Sequence, residues 1–128
     1  MSVDMWERVV LIAVAGALGA LLRYAVEGFV DDRLGPTVLG TFVVNVTGAL
    51  LLGLFLGITE ERWMAPTLAR TAVAIGFLGA YTTFSTLAFE TVDLAESGSL
   101  ATAALNVGGS MAAGLAAVYA GLTVGRAI

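Results

Sequence analysis

The sequence has 128 residues, of which 59% are hydrophobic and only 12% are charged, against roughly 25% charged residues in an average soluble domain. This composition excludes an ordinary soluble fold and is typical of an integral membrane protein. The net charge of −4 provides no basic surface for nucleic acids. Because cysteine and histidine are both absent, we expect no thiolate chemistry, no histidine base and no enzyme.

Long charge-poor segments predict four membrane-spanning helices, which together form one domain over residues 1–128. Each segment exceeds the ~18–20 residues that a helix needs to cross a bilayer core. The connectors are short and hold most of the charged residues and both prolines. We therefore predict an all-α membrane protein with spans at about 9–29, 36–58, 71–95 and 99–125.

The first two spans carry polar side chains, which are costly in a bilayer. Arg23 lies near the far end of the first span and either reaches the interface or faces a partner. Glu27 follows one turn later and either pairs with Arg23 or marks the helix end. In the second span, Thr41, Asn45 and Gly48 share one helical face. At this position we expect the Asn45 amide either to form a hydrogen bond between helices or to donate to an anion path.

The third span contains a run of hydroxyl side chains at residues 81–86, interrupted only by Phe84. Two glycines, Gly76 and Gly79, precede this run, and glycine and β-branched threonine both weaken a helix. A break here would free backbone carbonyls, which lipid cannot satisfy and which can coordinate a cation. The alternative is a kinked but continuous helix whose hydroxyls bond to its own backbone.

The fourth span places Thr102, Asn106, Ser110 and Gly114 four residues apart, so that they form one polar-to-small stripe. Other glycines also recur at short spacings, which predicts close helix packing, either within one bundle or between subunits. Four helices leave little room for a water-filled pore, so a transport function would favour an oligomer. The closely spaced pairs are Gly16 and Gly19, Gly48 and Gly53, Gly53 and Gly57, and Gly121 and Gly125.

The arginines are distributed unequally between the two ends of the predicted bundle. The side that holds both termini has four of them, and the opposite side has only Arg33. The positive-inside rule therefore predicts a multi-pass protein of the plasma membrane with both termini in the cytoplasm. The four are Arg8, Arg62, Arg70 and Arg126.

Three motifs occur in order along the first three spans. Residues 16–24 read GALGALLRY, residues 40–48 read GTFVVNVTG, and residues 82–86 read TTFST, with Glu90 following. Together with the length and the four spans, these motifs resemble the Fluc/CrcB family of fluoride channels over nearly the whole chain.

The resemblance implies an antiparallel dimer of four-helix subunits that exports cytoplasmic fluoride passively through two narrow pathways. It implies a structural sodium ion on the backbone carbonyls of Gly79 and Thr82. It also implies that Asn45 donates to fluoride, that the Phe84 ring edge faces the pathway and that Arg23 attracts anions to a vestibule. The full set of implied pathway residues is Asn45, Phe84, Ser110, Thr41, Asn106, Leu87, Thr86, Arg23 and Glu90.

Two positions depart from the family pattern. Leu87 stands where a second phenylalanine is usual, and Asn106 stands where a tyrosine is usual. Together with the arginine bias, these departures leave three assemblies open: a homodimer, one fixed-topology half of a heterodimeric channel, and a non-conducting partner subunit. A proton-coupled multidrug transporter is disfavoured, because Glu27 lies too near the span end and aromatic residues make up only 9%.

Overall fold

The protein is described by a computed structural model that covers residues 3–61 and 67–128. Within these ranges the chain is helical and contains no strand, and four stretches are long and apolar enough to cross a membrane. This confirms the predicted all-α, four-span membrane fold. The elements are α1 (Val3–Leu34), α2 (Leu39–Glu61), α3 (Thr67–Arg70), a π-helical segment (Thr71–Leu78), α4 (Gly79–Tyr81), α5 (Phe84–Glu96) and α6 (Leu100–Ala127).

The third span therefore consists of four consecutive pieces, α3, the π segment, α4 and α5, whereas each other span is one helix. Arg62 and Pro66, which were expected in the second connector, lie outside the described residues. The other two connectors turn at Gly35 and Gly98, whose φ angles of 83° and 86° suit glycine rather than residues with a Cβ. α2 and α6 run parallel to each other, because Gly53 and then Gly57 of α2 meet Val118 and then Gly125 of α6.

A glycine seam, formed by Gly53 and Gly57 of α2 and Gly121 and Gly125 of α6, joins these two helices. A Cβ atom added at Gly57 would lie 2.7 Å from the Leu122 carbonyl oxygen, and one at Gly53 or Gly121 would overlap the facing backbone. The backbones therefore touch directly, as small residues allow in membranes. For these four glycines, the close spacing seen in the sequence reflects packing within one subunit.

The first span packs against the first half of the third span in a similar way. A Cβ atom at Gly19 would overlap the Phe77 carbonyl oxygen, and one at Gly76 would lie 3.1 Å from the Ile12 carbonyl oxygen. α5 instead packs against α6. The two halves of the third span thus contact different neighbours, α1 and α6. α2 contacts both halves and is therefore the helix that faces the break. The buried apolar side chains are Val44, Leu78, Tyr81, Leu87 and Ala103.

The membrane ends of α2 and α6 are also linked by an ion pair between Glu60 and Arg126, with 2.9 Å between the carboxylate and guanidinium atoms. Both side chains are about half exposed, 51% each. An exposed pair of this kind contributes at most about 1 kcal/mol. The close backbone contact along the glycine seam, and not this ion pair, holds the two helices together.

Candidate functional site

The third span is broken at Thr82 and Thr83, between α4 and α5. Both residues have extended backbone, with ψ of 156° at Thr82 and φ of −145° at Thr83. The Thr82 N–H still donates to the Leu78 carbonyl at 3.2 Å, and the helical bonding pattern stops there. This confirms the break in the third span that was predicted from Gly79 and the run of hydroxyl residues. The alternative, a kinked but continuous helix, is wrong.

The Asn45 side chain braces this break from α2. The Thr83 N–H donates to Asn45 Oδ1 at 2.7 Å, and Asn45 Nδ2 donates to the Thr83 carbonyl at 3.0 Å. The amide therefore satisfies both backbone groups of a residue that has left the helix, in a region where water cannot do so. This establishes the hydrogen bond between helices, one of the two readings of Asn45. The second Nδ2 hydrogen is not used in this pair, and its donation to an anion stays a prediction.

The Thr83 side chain caps the N-terminus of α5. Its Oγ1 accepts a hydrogen bond from the Thr86 N–H at 3.3 Å and lies 2.9 Å from Thr86 Oγ1 and 3.4 Å from Ser85 Oγ. A threonine cap satisfies one of the free N–H groups at a helix start. Three hydroxyls therefore meet at the end of α5 that carries the positive part of the helix dipole.

A polar line continues from this cap along α2 and α5, formed by Thr83, Thr86, Glu90, Thr41 and Asn45. Thr86 and Glu90 are one turn apart on α5, as Thr41 and Asn45 are on α2. The Thr41 hydroxyl, which is buried, donates to Glu90 Oε1 at 2.7 Å and closes the line at its far end. The structure thus brings together four of the residues that the resemblance implies and adds Thr83.

Carboxylate oxygens accumulate beyond this end of the line. Glu90 Oε2, Glu27 Oε1 and Asp31 Oδ1 are all buried and have no hydrogen-bond partner in the described part of the chain. Arg23 lies half-buried on α1, one turn before Glu27. The end of the line near the α1–α2 connector is therefore acidic, while the α5 N-terminus is not.

Other predicted residues lie inside the subunit rather than on the polar line. Leu87 and Asn106 are only 5% and 8% exposed, and Asn106 Nδ2 donates to Thr91 Oγ1 at 3.1 Å. Thr91 in turn donates to the Leu87 backbone carbonyl of its own helix at 2.7 Å, so Asn106 is linked to α5 through the Thr91 hydroxyl. Ser110 Oγ is buried and has no hydrogen-bond partner among residues 3–61 and 67–128.

Phe84 has the opposite environment and is 76% exposed at the start of α5. Ser85 beside it is exposed as well. Both residues lie directly after the break, in the middle of a segment long enough to span a membrane. The start of α5, with the Phe84 ring and the Ser85 hydroxyl, is thus uncovered on one side of the subunit, whereas Thr83 in the break is buried.

The break also frees the two carbonyls suggested as cation ligands. In a continuous helix, the Gly79 carbonyl would accept from the Thr83 N–H, which bonds to Asn45 instead. The Thr82 carbonyl would accept from the Thr86 N–H, which bonds to the Thr83 side chain instead. Backbone carbonyls are suitable ligands for a monovalent cation, so the residues present fit a sodium ion. No cluster of carboxylate, thiol or imidazole groups within residues 3–61 and 67–128 offers a metal site of another kind.

Comparison with known proteins places the chain in a family. The family model described as CrcB-like protein, Camphor Resistance (CrcB), matches residues 10–122. The chain belongs to the CrcB family. It is 45% identical over 118 residues to a protein of Acidobacterium capsulatum, with 91% of this chain and 94% of that protein covered. That relative is named fluoride-specific ion channel FluC.

Two further CrcB relatives agree closely in length and carry the same name. The protein of Maridesulfovibrio salexigens is 46% identical over 119 residues, covering 91% of this chain and 94% of the relative. The protein of Nitratidesulfovibrio vulgaris is 42% identical over 123 residues, covering 95% and 99%. Because these relatives are named as ion channels, family membership confirms that the chain is a multi-pass membrane protein of a channel family and no enzyme.

The structure of this CrcB chain contains several contacts that the sequence did not predict. The motif TTFST contains Thr83, but its cap on Thr86 was missed, although a threonine directly before an apolar helical segment is a known helix-start signal. Thr91 was missed because a single threonine in a helix gives no sign of the partner across the bundle. The bond between Tyr81 and Thr47, described below, was missed for the same reason.

Proposed function

We propose that this chain is a subunit of a passive, fluoride-selective channel that lets cytoplasmic fluoride leave the cell. The braced break in the third span carries this proposal, because it places hydroxyls, a helix N-terminus and an amide at membrane depth. The relatives support the proposal independently of the structure, because they are named fluoride-specific ion channel FluC. Narrow anion pathways of this kind replace part of the hydration shell with a few well-placed donors.

The channel requires a second subunit. Phe84 and Ser85 are exposed beside the extended backbone of Thr82 and Thr83. Polar groups such as the exposed Ser85 hydroxyl are costly in lipid, so a face of this kind at membrane depth is covered by protein or lines a pathway. We propose that a partner of the same fold, inserted in the opposite orientation, covers it, and that two fluoride pathways run between the subunits.

The proposed pathway uses groups of complementary polarity. The second N–H of Asn45 and the partly positive edge of the Phe84 ring contact fluoride, with Thr86 next to them at the α5 N-terminus. Arg23 draws anions toward the entrance, and Thr41 with Glu90 forms the far end of the polar line. Ser110, Asn106 and Leu87 line the path only where the partner subunit opens the contact between α5 and α6.

A sodium ion held by the carbonyls of Gly79 and Thr82 would supply a fixed positive charge at the centre of the dimer. The chain's own contribution is to keep these two carbonyls free, through the bonds of Asn45 to Thr83 and of Thr83 to Thr86. The same contacts hold the break in one shape. The proposal therefore treats sodium as structural and assigns it no part in fluoride movement itself.

The arginine bias supports insertion with both termini in the cytoplasm. A fixed orientation suits one half of a heterodimeric channel, and this remains the second candidate for the assembly. A non-conducting partner subunit is the third candidate and differs in having no active pathway of its own.

The deciding experiment is fluoride efflux from liposomes that contain the purified chain alone, in sodium, with chloride as the control anion. Efflux of fluoride but not of chloride would establish a self-sufficient homodimeric channel. A folded protein without efflux would instead require co-expression with a paralogous chain of opposite arginine bias. Absence of fluoride efflux from that pair as well would contradict the proposed function.

Replacement of Phe84 by leucine is expected to lower fluoride efflux by about tenfold, since leucine has no partly positive ring edge and a tenfold change corresponds to ~1.4 kcal/mol, the upper range of edge contacts between aromatic rings. Folding should be little affected, because Phe84 is 76% exposed in the subunit. Phe89→Leu is the matched control, as Phe89 lies on the same helix and is 71% exposed. Equal efflux rates for the two variants, measured in the liposome assay, would remove Phe84 from the pathway.

A further inference from the structure

A second bond between α2 and the third span lies on the other side of the break. Tyr81, the last residue before the break, is only 4% exposed, and its hydroxyl oxygen lies 2.9 Å from Thr47 Oγ1. The Thr47 hydroxyl donates to the Val43 carbonyl at 2.6 Å. Its single hydrogen is then used, so the Tyr81 hydroxyl is the donor in the bond to Thr47.

The surroundings fix the Tyr81 side chain in place. A Cβ atom at Gly48 would lie 3.0 Å from Tyr81 Cδ1 and would overlap the Thr82 methyl group, so α2 contacts both residues directly. The Phe77 ring is parallel to the Tyr81 ring within 2°, with centroids 6.4 Å apart. The hydroxyl of Tyr81 therefore reaches Thr47 from a ring that has little freedom to move.

We propose that Tyr81 and Thr47 are positioning residues that hold the carbonyls of Gly79 and Thr82 at the separation required by a sodium ion. This inference rests on the proposed function. Tyr81 lies between these two carbonyls in the chain and is the last helical residue before the break. The helix ends there, with the Thr82 N–H as its last donor, and the bonds of Asn45 reach Thr83, after the break. The bond to Thr47 is the side-chain bond that anchors the part before it.

The test is the sodium dependence of the wild-type assembly and of Tyr81→Phe, which removes only the hydroxyl. Two readouts are measured: the sodium concentration that gives half-maximal fluoride efflux, and the rise of melting temperature with sodium in detergent. We expect the half-saturating sodium concentration to rise about fivefold, which corresponds to the loss of one neutral hydrogen bond. Maximal efflux at saturating sodium should remain unchanged.

Changing Thr47 gives an internal check. Thr47→Val should weaken sodium binding more than Tyr81→Phe does, because it leaves the buried Tyr81 hydroxyl without an acceptor. Adding Tyr81→Phe to Thr47→Val should then restore part of the affinity, and Thr47→Ser, which keeps the hydroxyl, should behave like the wild type. A mere packing role predicts instead that Thr47→Ser, which removes the methyl group and keeps the hydroxyl, is impaired as Thr47→Val is.

Tyr119 and Thr123 provide a matched control. Thr123 donates to its own helix backbone at the Tyr119 carbonyl at 2.9 Å, as Thr47 does at Val43, but Tyr119 is 73% exposed. Tyr119→Phe and Thr123→Val should leave sodium affinity unchanged. If Tyr81→Phe lowers melting temperature equally at every sodium concentration and leaves half-saturation unchanged, the inference is wrong.

Failure of the proposed function is recognised separately, from the wild type. Wild-type protein that conducts no fluoride, alone or with its partner, contradicts the proposed function, and the melting experiment still reports on sodium binding. Wild-type protein that shows no sodium dependence in either readout overturns the positioning inference directly. Normal wild-type behaviour with an unaltered Tyr81→Phe variant overturns only the inference.

Discussion

Replacing Asn45 by aspartate should reduce fluoride efflux by about 100-fold or more. Aspartate can accept from the Thr83 N–H, but it cannot donate to the Thr83 carbonyl, which now receives a bond from Asn45 Nδ2 at 3.0 Å. Two oxygens would then face each other at membrane depth, and a carboxylate in the middle of a bilayer costs ~3 kcal/mol. The negative charge would also repel the anion in the pathway. The measurement is the liposome efflux rate, compared with wild type at equal reconstituted protein.

Two further variants separate the charge from the lost bond. Asn45→Ala removes the brace without adding charge and should lower both efflux and melting temperature. Asn106→Ala removes one amide that also bonds across the bundle, to Thr91 at 3.1 Å, and should lower stability with much less effect on efflux. In a complex with a paralogous partner, unchanged fluoride efflux after Asn45→Asp would identify this chain as the non-conducting subunit.

The overall architecture could be derived from composition and spacing. Membrane helices must be long, apolar and internally hydrogen-bonded, so charge-poor runs are sufficient to count the spans. The break was also predictable, because Gly79 and the threonines at 82 and 83 each weaken a helix. Both are local properties, which depend on neighbouring residues and on the solvent rather than on distant partners.

The contacts that hold the break together could not be derived in this way. Asn45 and Thr83 are 38 residues apart. From the sequence alone, Asn45 could either bond to another helix or donate to an anion path. Only the packing of α2 between the two halves of the third span places its amide against the extended backbone. The π-helical segment Thr71–Leu78 also has no signal in the sequence, although such segments often lie at functional sites.

Leu87 and Asn106, the two departures from the family pattern, have surroundings in the subunit that the sequence did not indicate. The resemblance places each on the pathway, and that role stays a prediction. In the subunit both side chains are buried, and Asn106 bonds to Thr91 across the contact between α5 and α6. This bond depends on how the two helices pack, which a single threonine in a helix does not reveal.

The largest expected effect on stability is that of Gly121→Ala. The glycine spacings predicted close packing but not which helices meet, and the structure pairs Gly121 with the α2 backbone at Leu50 and Leu54. A Cβ atom there would overlap the Leu50 carbonyl oxygen and lie 2.7 Å from the Leu54 nitrogen. Because backbone atoms cannot rotate away, the helices must separate, and overpacking of this kind costs ~1–3 kcal/mol.

Gly114→Ala is the matched control for this variant. Gly114 lies on the same helix about two turns earlier, and a Cβ atom there would meet nothing within 4 Å. Alanine has a higher helix propensity than glycine, so Gly114→Ala should leave the free energy of unfolding unchanged or slightly raised. Unfolding in mixed detergent micelles should thus separate the two variants by at least ~1 kcal/mol. Similar unfolding curves would mean that the contact between α2 and α6 relaxes at little cost, and that the glycine seam does not set how closely the two helices approach.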